Sequence, residues 1–206
     1  MKIYHFYDFD DTLALTKQAL YMSYKKALNE YGIDFEFPYF NDFIYSDANK
    51  YLADECGFSE TEIIEIKKRK EFYYLNDYFH LIEWNLPSNL LYNERNKIVI
   101  ITNTSADLVK TLVDKKFGIE VLSKIDVIGS YSSTSTKKYK RKPDPELYIE
   151  AFRKFVKTME KDDVLHIYED SAEGLSAAAL FLLKFKKRLS QFQLHHVTKL
   201  NININE

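Results

Sequence analysis

The chain has 206 residues, of which 46% are hydrophobic and 29% charged, and its formal net charge is −2. This composition is typical of a folded globular protein and excludes a disordered chain, while the charge balance argues against binding nucleic acid through a broad basic field. The single cysteine, Cys56, excludes an internal disulfide, and no apolar run approaches the length of a membrane span. We expect a soluble protein of a reducing compartment, the cytoplasm, with the nucleus as an alternative.

The chain opens with a strand that ends in acids. Residues 1–9, MKIYHFYDF, are mostly apolar or aromatic and predict a buried strand. Asp8, Asp10 and Asp11 gather at its end. Carboxylates beside a buried strand are costly unless something balances their charge, so their position indicates a functional site.

Residues 15–89 predict a helical segment without a convincing strand. Apolar residues recur at helical spacing, and Ser59 with Glu62 has the spacing of a capping box ahead of a helix over 60–76. We interpret the segment as an insertion between the first and second strands of the main domain. The expected domains are residues 1–14 with 90–206, and residues 15–89.

Strands alternate with helices in the rest of the chain. The predicted strands are KIVII at 97–101, IDVIG at 125–129 and VLHIY at 164–168. The predicted helices begin at an N-cap Thr104, at Asp144–Pro145, and at a capping box of Asp170 with Glu173 that precedes a helix over 175–188. This alternation predicts an α/β fold, with a Rossmann-like parallel sheet and helices on both faces.

Polar residues follow the ends of these strands. Asp8 and Asp10 follow the first strand, Thr102 the second, and Glu169 with Asp170 the last, while Lys142 stands just ahead of a predicted helix. Ligands of open α/β sheets bind outside the carboxyl ends of the strands. We therefore expect these residues to meet in one crevice.

The expected crowding of acids indicates a divalent cation. Four carboxylates in one crevice would repel one another, and a cation removes that conflict. The candidate ligands are all hard oxygens, which favours Mg²⁺ over Zn²⁺, and Mg²⁺ commonly shares its coordination with substrate phosphate. A hydroxyl at Thr102 and an ammonium at Lys142 are suitable partners for phosphate oxygens.

Four sequence segments, in order, resemble the motifs of the haloacid dehalogenase superfamily. They are DFDDT at 8–12, ITNTS at 101–105, KPDPELY at 142–148 and YEDSAEGLSAA at 168–178. The position of the helical insertion resembles the C1 cap domain of the branch that contains phosphoglycolate phosphatase and β-phosphoglucomutase. One such motif is weak evidence, but four in order at strand ends are specific.

The resemblance implies a role for each matched residue. Asp8 corresponds to the nucleophile that forms an aspartyl-phosphate, and Asp10 to the general acid and base. Thr102 and Lys142 correspond to the residues that hold the transferring phosphoryl group. The implied Mg²⁺ ligands are Asp8, the backbone carbonyl of Asp10, Asp170 and Glu169. Asp11, Thr12 and Asn103 are the further candidates for substrate or phosphate binding.

Two positions leave alternatives open. Asp11 stands where the family usually has glycine, so it either faces solvent or weakens the affinity for phosphate. The first alternative is favoured because aspartate tolerates unusual turn conformations. The run KKYKRK at 137–142 is strongly basic, so Lys140 or Lys138 is an alternative to Lys142 for the phosphate contact. The rest of the run is interpreted as a solvated loop, with a nucleic-acid contact as a minority alternative.

The function implied is a Mg²⁺-dependent phosphomonoester hydrolase for a small phosphorylated metabolite, such as a sugar phosphate, a phosphoglycolate-like acid or a nucleotide. The alternatives are a phosphomutase of the same branch, a polynucleotide end phosphatase and a non-catalytic scaffold. Asp10 argues against dehalogenation, which needs no second aspartate in that role. We expect no membrane partner, and either a monomer or a dimer.

Overall fold

The structure, a computed structural model, describes residues 1–36, 48–131, 138–189 and 191–198. Lys137, the first residue of the basic run, lies outside these ranges. The chain divides into two compact units, of which one comprises Met1–Ala14 with Trp84–Glu206 and the other Leu15–Glu83. Each unit is described by itself below.

The first unit is built on a five-stranded parallel sheet. The seven strands of the described chain, in order, are Ile3–Tyr7 (β1), Ala14–Leu15 (β2), Glu83–Trp84 (β3), Asn96–Thr102 (β4), Ile125–Gly129 (β5), Val164–Glu169 (β6) and Gln191–His196 (β7). The order in the large sheet is β5-β4-β1-β6-β7, and the two-residue strands β2 and β3 pair with each other. The predicted parallel α/β fold is thus confirmed.

Helices connect these strands. The α-helices of the described chain are Lys17–Asn29 (α1), Ala48–Asp54 (α2), Glu60–Asn76 (α3), Ser88–Leu91 (α4), Ala106–Phe117 (α5), Ile119–Leu122 (α6), Glu146–Phe155 (α7) and Ala172–Phe185 (α8), and Phe79–Leu81 forms a 3₁₀ turn. No helix among the described residues combines the length and the apolar character needed to cross a membrane.

The core of the first unit follows from the two-residue period of the strands. Tyr4 and Phe6 on β1 point to one face, where they pack with residues of β4 and β6 and with α7 and α8. The alternate residues of β4, Ile98 and Ile100, are buried as well. A central strand that is buried on both faces is typical of a parallel sheet, and it fixes the position of the site at its carboxyl end.

The unit Leu15–Glu83 has its own apolar core. Its buried residues are Tyr24, Ala27, Leu28, Phe35, Leu52, Ile63 and Ile66. Helix α3 begins with the predicted capping box, in which the Ser59 side chain accepts from the Glu62 backbone amide and the Ser59 amide donates to Glu62 Oε2 at 2.8 Å. The prediction of this helix over 60–76 is confirmed.

Two predicted helix caps are wrong by one residue, and the helix predicted over 175–188 begins and ends three residues earlier, as Ala172–Phe185. Ser105, and not Thr104, caps α5 by accepting from the Leu108 amide, and Ser171, and not Asp170, caps α8. In both cases the side chain of the predicted cap forms a hydrogen bond with a residue distant in sequence, as described below. Strand β7 was not among the predicted strands, because QFQLHH has only two apolar residues, Phe192 and Leu194, and the structure exposes both.

Candidate active site

The site lies at the carboxyl end of the central strands. Asp8 directly follows β1, and its backbone amide continues the ladder by donating to the Tyr168 carbonyl at 2.9 Å. Thr102 is the last residue of β4 and Glu169 the last residue of β6. Because β1 lies between β4 and β6, the three strand ends are neighbours, and the structure brings these residues together.

Lys142 lies at the centre of this group. Its side chain is only 2% exposed, and Nζ donates to Asp8 Oδ1 at 2.6 Å, to Glu169 Oε1 at 2.6 Å and to the Ile101 carbonyl at 2.7 Å. Lys140, by contrast, has a 76% exposed side chain with its Nζ 3.6 Å from Asp144. Of the lysines that the structure describes in the basic run, Lys142 is therefore the one positioned against the acids.

The charges of this group are strongly coupled. Burial raises the pKa of Asp8 well above its usual range, and the neighbouring carboxylates of Glu169 and Asp10 act in the same direction, while Lys142 opposes them. Burial alone would lower the pKa of Lys142, but Asp8 and Glu169 together raise it above its ordinary value, so the ammonium form is favoured. The arrangement holds a buried cation against two acids.

Tyr148 completes the surroundings of Glu169. Its hydroxyl donates to Glu169 Oε1, and its ring centroid lies 5.6 Å from Lys142 Nζ, within the range of a cation–π contact. Burial, followed by the charge of Glu169, raises the pKa of Tyr148 well above its ordinary value. Tyr148 thus remains a hydroxyl donor, and its contact with the glutamate is one that sequence reasoning did not identify.

Asn103 is placed beside Lys142 by two hydrogen bonds. Its Oδ1 accepts from the Lys142 backbone amide at 2.8 Å, and its Nδ2 donates to the Lys142 carbonyl at 3.4 Å. The Asn103 carbonyl in turn accepts from the Ser130 hydroxyl at 2.6 Å. The side-chain amide that the sequence assigned to phosphate binding is therefore engaged with the backbone of the lysine.

Asp10 is held from the neighbouring strand end. Thr104 Oγ1 donates to Asp10 Oδ2 at 2.8 Å, and the Thr104 backbone amide donates to Thr102 Oγ1 at 2.9 Å. Since Thr102 Oγ1 accepts this bond, its own proton can be donated to a ligand. Thr104 was interpreted from the sequence as a helix cap, and its contact with Asp10 was missed.

The loop after Asp10 brings two more predicted residues to the site. Asp11 has a φ of 59°, in the left-handed region that favours glycine and that aspartate tolerates. Thr12 Oγ1 donates to Asp170 Oδ1 at 3.2 Å. Burial, with the charges of Asp11 and Glu169, raises the pKa of Asp170 to about 6. The glycine of the family motif and the aspartate found in this chain are thus compatible with the same turn.

Three acids form a group that fits a hard divalent cation. One carboxylate oxygen each from Asp8, Glu169 and Asp170 lie within 4.8 Å of one another. Glu169 Oε2 is buried without a hydrogen-bond partner, and a Cβ added at Gly174 would overlap it. An orphaned buried carboxylate oxygen, in a group made of oxygen donors alone, fits Mg²⁺ better than a transition metal.

Comparison with known proteins places the chain among hydrolases. A family model described as haloacid dehalogenase-like hydrolase matches residues 6–185. Among curated proteins, the search gives no match. Solved structures do match, and their low sequence identities mean that the likeness is one of fold.

Three of these structures show the extent of the likeness. CbbY from Rhodobacter sphaeroides, in complex with phosphate, has a TM-score of 0.68 at 18% identity, over 100% of this chain and 90% of that one. A Thermotoga maritima protein assigned as a β-phosphoglucomutase has a TM-score of 0.64 at 17% identity, over 98% of this chain and 89% of that one. A Lactobacillus plantarum protein assigned as a phosphoglycolate phosphatase has a TM-score of 0.60 at 18% identity, over 94% of this chain and 86% of that one.

Proposed function

Because this chain belongs to the haloacid dehalogenase-like hydrolase family, we propose that it is a Mg²⁺-dependent phosphomonoesterase that acts through an aspartyl-phosphate. The observation that carries the proposal is the buried Lys142 ammonium, which contacts both Asp8 and Glu169 at 2.6 Å beside a group of three carboxylates. A fixed cation against a nucleophilic carboxylate is suited to receiving the negative charge of a phosphoryl group.

In the proposed reaction, Asp8 attacks phosphorus, and a new bond forms between its carboxylate oxygen and phosphorus. The bond from phosphorus to the leaving oxygen breaks, and Asp10 gives that oxygen a proton. Asp10 then takes a proton from water, which attacks the aspartyl-phosphate, releases inorganic phosphate and restores Asp8. Asp10 alternates between acid and base, so the protons balance over one turnover.

The remaining residues bind and orient the phosphoryl group. Lys142 Nζ, which contacts Asp8 from the loop ahead of α7, would supply positive charge to its oxygens, and the Thr102 hydroxyl at the end of β4 would donate to them. Asp8, Glu169 and Asp170, with the Asp10 carbonyl, would hold Mg²⁺, which when bound supplies positive charge that neutralises phosphate. Asp11 and Thr12 line the adjoining loop.

The substrate is proposed to be a small phosphate monoester, with a sugar phosphate favoured. Structures of similar fold include CbbY with phosphate and a variant of CbbY with xylulose-1,5-bisphosphate. We propose that residues 15–83 act as the cap domain that selects the leaving group, while the unit that contains the sheet carries the chemistry. The boundary between the two units predicted from the sequence lies between residues 89 and 90, whereas the structure divides them between Glu83 and Trp84.

The test is phosphate release from a panel of sugar phosphates, other phosphorylated metabolites, nucleotides and 5′-phosphorylated oligonucleotides. Each substrate is assayed with Mg²⁺ and with EDTA, for the wild type, for Asp8→Asn and for a control, Asp162→Asn, at an exposed aspartate. We expect activity that requires both the metal and Asp8 and that the control retains. Absence of turnover on every substrate by the folded, Mg²⁺-loaded protein would refute the proposal.

A phosphomutase is the second candidate, since a structure of similar fold is assigned as a β-phosphoglucomutase. The same aspartates serve both reactions, but a mutase transfers the phosphoryl group back to a sugar instead of to water. Incubation with sugar 1-phosphates, followed by separate measurement of free phosphate and of isomerised sugar phosphate, distinguishes the two. Isomer formation in excess of phosphate release would favour the mutase.

A further inference from the structure

We propose that Thr104 is a positioning residue, which holds the Asp10 carboxyl group in the orientation from which it protonates the leaving oxygen. This inference rests on the proposed function. Its direct observation is the bond from Thr104 Oγ1 to Asp10 Oδ2 at 2.8 Å, which joins residues 94 positions apart. Neither the family motif nor the sequence pattern assigns this task to Thr104.

The backbone of Thr104 is fixed on several sides, so its hydroxyl is a stationary donor. The Thr104 amide donates to Thr102 Oγ1 at 2.9 Å. The Thr104 carbonyl lies so near the end of β5 that a Cβ added at Gly129 would sit 2.5 Å from it. Threonine is also branched at Cβ, which restricts its χ1 rotation. These constraints make the hydroxyl a reliable anchor.

Asp10 needs such an anchor because its backbone alone does not orient its side chain. The turn after β1 is closed by bonds from the Leu13 and Ala14 amides to the Phe9 carbonyl, both at 3.0 Å. These bonds fix the main chain, whereas the χ1 and χ2 torsions of the aspartate are set by the groups that bind its carboxyl oxygens. The Thr104 hydroxyl is one such group, and its bond to Oδ2 restrains both torsions and thereby the direction of the second carboxyl oxygen.

The simpler explanation of Thr104 is a helix cap, and the structure does not support it. Ser105 is the N-cap of α5, where its side chain accepts from the Leu108 amide. The Thr104 hydroxyl instead donates to a carboxylate. A threonine that served packing alone could be replaced by the isosteric valine without a change specific to proton transfer, and this difference supplies the test.

The experiment compares two substrates, p-nitrophenyl phosphate and phenyl phosphate. Nitrophenolate leaves readily without a proton, whereas phenolate departs with assistance from a general acid. Because Asp10 also activates water in the second step, kcat can fall on both substrates, whereas kcat/KM reports only the steps up to the aspartyl-phosphate. For Thr104→Val we expect kcat/KM on phenyl phosphate to fall about 10- to 100-fold, which is part of the roughly 100- to 10,000-fold that a general acid contributes, and kcat/KM on p-nitrophenyl phosphate to fall less than about threefold.

Three further variants complete the test. Thr104→Ser keeps the hydroxyl and should restore most of kcat/KM on phenyl phosphate. Thr111→Val removes the exposed hydroxyl that donates to the Asp107 carbonyl at 2.9 Å on α5, and it should behave as wild type on both substrates. Thr104→Val in an Asp10→Asn background should add nothing to the loss, because a positioning residue acts through the residue it positions.

Each outcome has one meaning. An equal loss of kcat/KM on both substrates, or a loss that serine does not restore, would show a general structural role and overturn the inference. Wild-type rates in Thr104→Val would overturn it as well. If the wild type hydrolyses panel substrates but neither aryl phosphate, the variants are compared on the best panel substrate, where Thr104→Val should lower kcat/KM about 10- to 100-fold, serine should restore it, and no loss would overturn the inference. If the wild type hydrolyses no substrate of the panel with Mg²⁺, or if Asp8→Asn keeps full activity, the proposed function itself fails and takes this inference with it.

Discussion

Asn103 and Lys142 are joined by two hydrogen bonds, because the Asn103 side chain accepts from the Lys142 backbone N–H and donates to the Lys142 backbone carbonyl. The pair connects the end of β4 to the loop that carries the buried lysine, across 39 positions of sequence. The lysine has a long flexible side chain, so a defined position of its ammonium needs a defined position of its backbone. The two bonds from Asn103 fix this backbone position.

Asn103→Ala should therefore lower kcat/KM by about 100-fold, since a displacement of an ångström at a catalytic group costs that much. The free energy of unfolding should fall by about 1–2 kcal/mol for the lost hydrogen bonds. Steady-state kinetics and urea unfolding measure the two effects. Asn93→Ala, which removes the local bond to the Arg95 amide at 3.0 Å, is the matched control and should leave activity unchanged. A loss confined to KM would instead support direct phosphate binding by Asn103.

Lys142→Met should abolish activity and destabilise the metal-free protein by about 3 kcal/mol, because it leaves two buried carboxylates without their cation. Lys140→Met removes an exposed lysine two residues away and should change the free energy of unfolding by less than about 0.5 kcal/mol. Chemical denaturation and the phosphatase assay test both variants. If Lys140→Met were inactive and Lys142→Met still active, the residue that contacts phosphate would be Lys140 and not Lys142.

Gly174→Ala should reduce both stability and Mg²⁺ affinity, although alanine is ordinarily the better helix former. A Cβ at this position overlaps Glu169 Oε2, which must then move from its buried place. We expect a loss of about 1–3 kcal/mol, typical of overpacking. Ser176→Ala, at an exposed position of the same helix, should be neutral or slightly stabilising by about 0.5 kcal/mol. Mg²⁺ titration by calorimetry and thermal unfolding provide the comparison, and equal behaviour of the two variants would contradict the expected overlap.

The pH dependence of Mg²⁺ binding follows from Asp170. Its pKa in the folded, metal-free protein is raised to about 6 from an ordinary value of 3.8, so the proton is bound more tightly in the folded state. The stabilising contribution of this proton is complete below pH 3.8 and is lost as the pH rises through 6. Metal and proton compete for the same carboxylate, so Mg²⁺ affinity should rise through this range and level off above it.

Calorimetric titration with Mg²⁺ between about pH 5 and 7.5 tests the competition, and thermal unfolding with and without Mg²⁺ tests the linked stability. Mg²⁺ should raise the unfolding temperature more at the upper end of this range. The matched variant Thr12→Val removes the hydroxyl that donates to Asp170, and it should move the midpoint to higher pH because the ionised form loses a hydrogen bond. Affinity that is independent of pH would contradict a proton on the ligand.

The fold was largely predictable from the sequence because strands and helices that are buried carry local apolar periodicity. The strand predicted at 125–129 is β5, and the helix predicted over 60–76 is α3, with its capping box. Strand β7 gave a weaker signal, since QFQLHH contains only two apolar residues, Phe192 and Leu194, and its alternation of polar and apolar residues is short. Pairing with β6 decides its conformation.

The sequence by itself determined which strand ends carry polar residues, and therefore where the candidate site lies. Only the tertiary structure decided the tasks of neighbouring residues with equal local signals. Thr104 and Ser105 are both competent helix caps, as are Asp170 and Ser171, and Lys140 and Lys142 are equally basic. Thr104 binds Asp10, 94 positions away, and Asp170 binds Thr12, 158 positions away, so the neighbouring serine is left to cap the helix in each case. No local pattern records contacts at that distance.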